Sequence, residues 1–218
     1  MKIEGIIIKS IPYKETSKIV YVYTNLGMKS IKAIGSTNNK KNTFGFAETG
    51  NIVSFIATDN DFPSLIEYEI IESAYKYTES FDKIKGLSKL IELIDYLPED
   101  SIHNKIYPFI KKTMNDILID PLKALSIFLI KMTFNFGVAP KLDSCIFCQK
   151  SLITGFSVSK GGVLCIDHNE YNTDDYKIWI EYYKDKKDLD LYTNTDYNKL
   201  LKRINEYYLI HANINLKL

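Results

Sequence analysis

The stretch that most constrains this chain is Cys145-Ile-Phe-Cys148 answered by Cys165-Ile-Asp-His168. All three cysteines of the protein lie here, beside one of its three histidines. Two such pairs separated by a spacer of roughly 15–20 residues form the zinc-site pattern. Each two-residue gap lets a pair of donors converge on one ion, and the spacer is long enough to fold back as a hairpin. Gly155 and Gly161-Gly162 bracket that hairpin, which carries Phe156 and Val158. Three thiolates and one imidazole fill a tetrahedral shell and leave no open position, so the pattern predicts a structural Zn2+ held by Cys145, Cys148, Cys165 and His168. With His168 neutral, ion and ligands together carry one negative charge. The predicted zinc module spans about 142–170.

Hydrophobic residues make up 45% of the chain and charged residues 25%, the ordinary balance of a globular protein. The formal net charge of +1 announces no nucleic-acid binder, but the charges are segregated. From Met1 to Lys41 there are eight lysines (Lys2, Lys9, Lys14, Lys18, Lys29, Lys32, Lys40, Lys41) against Glu4 and Glu15. From Asn42 to Ser80 only Lys76 opposes seven acidic side chains, Glu48 to Glu79. Such segregation predicts opposite faces of one domain, or complementary hairpins. Lys9, Lys14 and Glu15 break the apolar start, so no signal peptide is predicted. No run approaches the roughly 18–20 apolar residues of a membrane span. Cysteines spent on metal rather than disulfides fit a reducing cytoplasm. Arg203 is the sole arginine, which removes bidentate Arg–phosphate pairing from the available chemistry.

The first 75 or so residues read as strands: Ile3–Ile11, Ile19–Thr24, Met28–Gly35, Gly50–Ala57 and Ser64–Ala74. Ile66, Tyr68 and Ile70 alternate with Glu67 and Glu69, the period of a half-buried strand. Asn25-Leu26-Gly27 reads as a hairpin turn with a glycine able to take positive φ. Five short strands suggest a small closed barrel, of which an OB-fold is a common kind with a binding face; an SH3-like barrel fits the same pattern. From Phe81 the period changes to three and four. Ile84, Leu87, Leu90, Ile91, Ile94 and Leu97 form one helical face ending before Pro98, and Ile106, Phe109, Ile110, Ile117 and Leu118 form a second. Asp120-Pro121 is a helix start, with Gly137 placed to end that helix. A last helix carries Leu200, Leu201, Ile204, Tyr208 and His211. Trp179 reads as packing, and His103 and His211 as surface or satisfied core residues. The fold class is therefore α+β and multidomain: an N-terminal OB-fold β-barrel over 1–80, then an α-helical domain over 81–218 with an embedded zinc knuckle.

Particular stretches in this order resemble the RecO family of bacterial recombination mediators. They are Tyr13-Lys-Glu-Thr-Ser17, Tyr23-Thr-Asn-Leu-Gly-Met-Lys29, Gly35 with its lysine-bearing loop, Asn135-Phe-Gly-Val-Ala-Pro140 and Gly162-Val-Leu-Cys165. The similarity runs over essentially the whole chain. It implies binding of single- and double-stranded DNA, annealing of complementary strands and partnership with RecR. It also implies contact with the C-terminal tail of single-stranded-DNA-binding protein, and help in loading the RecA recombinase during DNA repair. Three departures stand out. The family's last metal ligand is usually Cys, where this chain has His168. The loop after the third strand is usually Arg-rich, where this chain has Lys40 and Lys41. Basic side chains on the helix matching Pro121 onward can hold the protein tail, and here Lys123 and Lys131 stand for them.

Lysines neutralise backbone phosphates with strong salt dependence, so Lys9, Lys14, Lys18, Lys29, Lys32, Lys40 and Lys41 are the candidate DNA contacts. Strict alternation places Lys29 and Lys32 on opposite sides of their strand. Tyr13, Phe44 and Phe46 lie where base stacking is conceivable, with Tyr13 the candidate carried forward. Annealing makes and breaks no covalent bond, and no GxxxxGK[ST] phosphate loop is present, so no enzyme is expected. A zinc hydrolase would need a vacant ligand position and a carboxylate base, with His168 detached and Asp167 or Glu170 near. The competing reading is a zinc-containing protein-interaction adaptor with no direct DNA binding, which predicts no salt-dependent affinity for oligonucleotides.

Overall fold

In a computed structural model of the chain, residues 2–36, 44–169, 175–183 and 192–217 are described. They fall into two compact units, residues 1–118 and 119–218.

The N-terminal sheet is built on strand β1 (Ile3–Tyr13), which pairs with β2 (Ser17–Thr24) on one side and β4 (Ile52–Ala57) on the other. Strand β3 (Gly27–Ala33) extends β2, and β5 (Leu65–Glu72) extends β4, giving the antiparallel order β3-β2-β1-β4-β5. The turn from β2 to β3 is the one expected: Gly27 has φ +97°, and the Thr24 hydroxyl both accepts from the Leu26 N–H and donates to the Gly27 carbonyl. Ile7, Val20, Val22, Ile31, Ala33, Phe46, Val53 and Phe55 form the core of this sheet. A bulge between Ile7 and Lys9 changes the face that β1 presents beyond that point. One isolated parallel bridge joins Lys32 of β3 to Ser64, and the Lys32 N–H donates to the Pro63 carbonyl at 2.8 Å. That bridge is a point contact, not a paired ladder.

The alternation read into β5 does not hold throughout. A bulge opposite Ile56 and Ala57 shifts the register, so Leu65 packs on the core while Ile66 is 61% exposed. Tyr68 does pack on the core, but Ile70 is exposed.

Ser80 caps helix α1 (Phe81–Ile94) by accepting from the Lys83 N–H. Leu87, Leu90, Leu93 and Ile94 are its buried face; Ile84 is exposed and Leu97 lies past the helix end. Helix α2 (His103–Ile119) buries Ile106, Tyr107, Ile110, Met114 and Ile117. The Tyr77 hydroxyl donates to the Met114 carbonyl at 2.9 Å, pinning the 3-10 turn Ala74–Glu79 to α2. His103 bonds the Tyr23 hydroxyl through Nδ1 and the Glu99 carbonyl through Nε2, the satisfied histidine the sequence suggests.

In the second unit Asp120 caps helix α3 (Pro121–Met132) as predicted, accepting from the Lys123 N–H at 3.1 Å. The helix ends at Met132, earlier than the glycine signal implies. Gly137, with φ +69°, instead closes the turns that follow. Strands β6 (Ile153–Ser157) and β7 (Gly162–Cys165) form the expected hairpin, with Gly161 at φ +74°. The charged stretch around Trp179 contains a helix the sequence reading did not specify, α4 (Asp175–Tyr183), and helix α5 (Asn194–Ala212) carries a capping box at Thr193 and Asp196. Trp179 is 1% exposed and stacks on Phe156 with ring centroids 4.8 Å apart, so it packs the hairpin onto the helices. The Tyr207 and Tyr208 hydroxyls donate to the Val138 and Leu129 carbonyls, each at 2.7 Å. His211 Nε2 bonds the Val158 carbonyl at 2.7 Å and is likewise satisfied.

Candidate metal centre and nucleic-acid interface

Two tight turns present the metal-site residues. In the first, the Gln149 N–H donates to the Cys145 carbonyl at 2.9 Å, with Gln149 at φ +62°, and the Cys145 N–H donates to the Lys150 carbonyl. In the second, Cys165 ends β7 and the His168 N–H donates back to its carbonyl at 3.0 Å. The turns meet because segment 141–146 lies along β7: Val163 N–H donates to the Lys141 carbonyl at 2.9 Å, and Ile146 N–H to the Val163 carbonyl at 3.0 Å. An ion pair from Lys150 to Asp167 at 2.5 Å ties the two turns from outside.

The four donor atoms lie within 4.8 Å of one another. Cys148 Sγ and Cys165 Sγ are 3.5 Å apart, and His168 Nδ1 stands 3.3 Å from Cys165 Sγ and 3.7 Å from Cys145 Sγ. Bond lengths of zinc to sulfur and nitrogen imply tetrahedral edges of roughly 3.6–3.8 Å, so the cluster has the dimensions of a metal shell. His168 belongs to it rather than standing apart. Cys145 and Cys165 are buried, while Cys148 and His168 are exposed at the rim. Burial opposes the Cys145 thiolate, but hydrogen bonds from the backbone of Cys148, Cys165 and Phe147 outweigh it and bring the thiol down to about 6. Burial likewise opposes the Cys165 thiolate, and hydrogen bonds from His168 and Cys148 lower it nonetheless. His168 is raised, first by its hydrogen bond to Cys165. A hydrogen bond from the Lys150 backbone favours the Cys148 thiolate, but desolvation and the hydrogen bonds with Cys165 and Cys145 favour the thiol, and Cys148 is raised. Three sulfurs and an imidazole nitrogen gathered around one point are the donor set that a soft or borderline cation takes.

The second group of residues lies in the first unit. Pairing of Lys9 with Tyr21, Ile11 with Ile19 and Tyr13 with Ser17 puts Lys9 and Tyr13 on one face of the sheet, and Lys32, opposite Ile19, shares it. Lys18 pairs with Ala33 and Lys29 with Val22, so both belong to the core-lined face, at its margins. Lys29 and Lys32 therefore fall on opposite sides, as alternation requires. Lys14, in the turn after β1, has φ 56° and holds its ammonium 5.4 Å from the Tyr13 ring centroid. Lys9 lies over Tyr21 and pairs with Asp95 at 3.0 Å.

Phe62, which the sequence reading passed over, joins this face. Its ring meets Tyr13 edge-on at 6.0 Å, and the Lys32 ammonium stands 5.2 Å over it. The available signal was an aromatic in the polar turn Asp59-Asn-Asp-Phe62-Pro between two strands. Phe46 does not join it: it is fully enclosed and packs on Phe55 and Tyr68, because the 3-10 turn Phe44–Ala47 folds under the sheet. Lys40, Lys41 and the Phe44 side chain lie outside the described residues. Lys123 and Lys131 occupy the first and last turns of α3, both half-buried.

A five-stranded antiparallel sheet with helices, a basic and aromatic strand face, and a Cys3His cluster on a hairpin together define an α+β protein with a candidate metal centre. The family model "Recombination protein O N terminal" matches residues 1–74, and "Recombination protein O C terminal" matches residues 78–179. The chain is 32% identical over 183 residues to the DNA repair protein RecO of Bacillus mycoides strain KBAB4, covering 81% of this chain and 73% of the relative. It is 31% identical over the same length, with the same coverage, to the DNA repair proteins RecO of Bacillus cereus strain B4264 and Bacillus anthracis strain CDC 684. The chain belongs to the RecO family of DNA repair and recombination proteins. No described helix is long and apolar enough to cross a membrane.

Proposed function

We propose that this protein is a non-enzymatic, cytoplasmic recombination mediator. It binds and anneals single-stranded DNA, also binds duplex, and works with a RecR-type partner to help load RecA onto DNA coated by single-stranded-DNA-binding protein. The observation that carries the reading is the gathering of Tyr13, Lys14 and Lys32 around one end of the sheet. Ammonium groups beside aromatic rings offer phosphates a counter-charge and bases a stacking surface. Lys9 extends that face, Lys18 and Lys29 reach phosphate from the margins of the other face, and Lys40 and Lys41, which follow β3 in sequence, add positive charge. In this reading residues 1–80 close as an OB-type barrel, supported by the Lys32–Ser64 bridge between β3 and the start of β5. Residues 81–218 form the helical part, in which Lys123 and Lys131 serve the tail of the single-strand-binding protein. The metal is Zn2+, and its role is to hold the knuckle, since four protein donors leave no position for a reacting water.

Annealing follows from the same surface. Two backbones held against fixed positive charge repel each other less, while base pairing supplies the driving free energy. The test is titration of labelled single strands at two salt concentrations, followed by annealing of complementary strands with and without a RecR-type partner. Salt-dependent affinity and faster annealing are expected. Absence of salt-dependent binding to any oligonucleotide would leave the adaptor reading in its place.

A further inference from the structure

We propose that Phe62 is a base-stacking platform that makes this interface favour unpaired over paired strands; the inference rests on the nucleic-acid reading above. Phe62 is 38% exposed, on a loop otherwise polar at its tip. The loop is closed on itself, with the Thr58 N–H donating to the Ser64 carbonyl and the Ser64 N–H to the Thr58 hydroxyl, each at 2.9 Å. It is tied to β3 by the 2.8 Å bond from the Lys32 N–H to the Pro63 carbonyl. The backbone that carries the ring is thus held from two sides, and Tyr13 braces the ring edge-on at 74°. A partly exposed ring on a fixed mount differs from one that packs a core, such as Phe46.

The charges around the ring set what approaches it. The Lys32 ammonium lies over Phe62, and exposed Asp59 and Asp61 precede it in sequence. The carboxylates repel phosphates from the loop tip, while the lysine draws them toward β3. A strand seated this way turns its bases, not its backbone, to Phe62. The ammonium that rests over the ring then moves to phosphate, and a base takes its place. Only an unpaired base can do this, since in a duplex both faces of each base are covered by its neighbours. The lysines, by contrast, serve both kinds of strand.

The test compares wild type with Phe62→Leu and Phe62→Trp. The probes are a labelled single-stranded oligonucleotide and a duplex of the same sequence, each titrated at two salt concentrations. Leu keeps the apolar bulk but removes the π face. Phe62→Leu is expected to weaken single-strand binding by about tenfold. Its duplex affinity and its salt slope on both probes stay at wild-type values, and Phe62→Trp restores single-strand binding. Retained duplex affinity shows that the variant is folded. Wild-type single-strand affinity in Phe62→Leu overturns the proposal, and so does an equal loss on both probes, which marks a mere prop. If wild type binds neither probe, the nucleic-acid reading itself falls and takes this one with it.

Discussion

The Glu4 carboxylate accepts from Lys111 Nζ at 2.7 Å, joining the first strand to α2 across 107 residues of sequence. The Tyr107 hydroxyl donates to the same oxygen at 2.9 Å. Burial works against the Glu4 charge, but these two hydrogen bonds and the Lys111 ammonium prevail and lower its pKa from the usual 4.5. A carboxyl lowered on folding adds stability that is present above its unfolded pKa and is lost as pH falls through the folded one. Solvent screens the pair, so Glu4→Gln should cost about 1 kcal/mol or less near neutrality. The gap between wild type and variant should close as pH falls below 4.5. Urea melts of both proteins across that range check it; a gap that widens on acidification contradicts the assignment.

Periodicity made much of this fold legible, because each element has one face against a core. The five strands, the capped start at Asp120 and the paired turns of the metal cluster all follow from local patterns. What escaped depended on register or distant packing. The bulge opposite Ile56 and Ala57 exposes Ile66, and no alternation rule locates a bulge. Phe46 and Phe62 are both aromatics next to strands, yet one is enclosed and the other partly open, because the first turn folds under the sheet and the second projects from it. Among the lysines, composition gave a count, and only strand pairing divided Lys9 and Lys32 from Lys18 and Lys29.

Removing one thiolate tests the metal centre. Cys145→Ser should lower zinc content and melting temperature together, since ligand geometry and folding are coupled at such sites. A chelator should shift wild type in the same direction. Oligonucleotide affinity of the variant that remains folded should change little, because Tyr13, Lys14 and Lys32 belong to the other compact unit. Metal analysis, thermal melts and anisotropy titrations are the readouts. A variant with full zinc content and unaltered melting would contradict this role.

Gly162 sets how closely the two halves of the metal site approach. A Cβ there would stand 2.5 Å from Ile146 Cγ2 and 2.7 Å from the Lys141 carbonyl oxygen. The second atom is backbone and cannot turn aside, so Gly162→Ala must push segment 141–146 off β7. Overpacking of this kind costs typically about 1–3 kcal/mol. Because Cys145 lies within that segment, metal affinity should fall along with stability. Competition with a chromogenic zinc chelator measures the first, and denaturant melts the second. Loss of stability at unchanged metal affinity would mean that the first turn adjusts independently of β7.

The lysines around Phe62 make a quantitative claim about salt. Each phosphate neutralised on a single strand contributes about 0.7 to the slope of log affinity against log salt. Lys14 and Lys32 hold their ammonium groups over rings at the surface, and neither has a carboxylate partner among the described residues, in contrast to Lys9 with Asp95. Lys14→Gln with Lys32→Gln should therefore reduce the slope by about 1.4 on single strands. The affinity loss should be largest at low salt and shrink as salt rises, since added salt removes the same counterion release that the lost lysines supplied. Phe62→Leu should show the converse, a loss that is constant across salt. Titrations of one labelled strand at four salt concentrations separate the two kinds of contact. An unchanged slope in the double variant would move the phosphate path away from this end of the sheet.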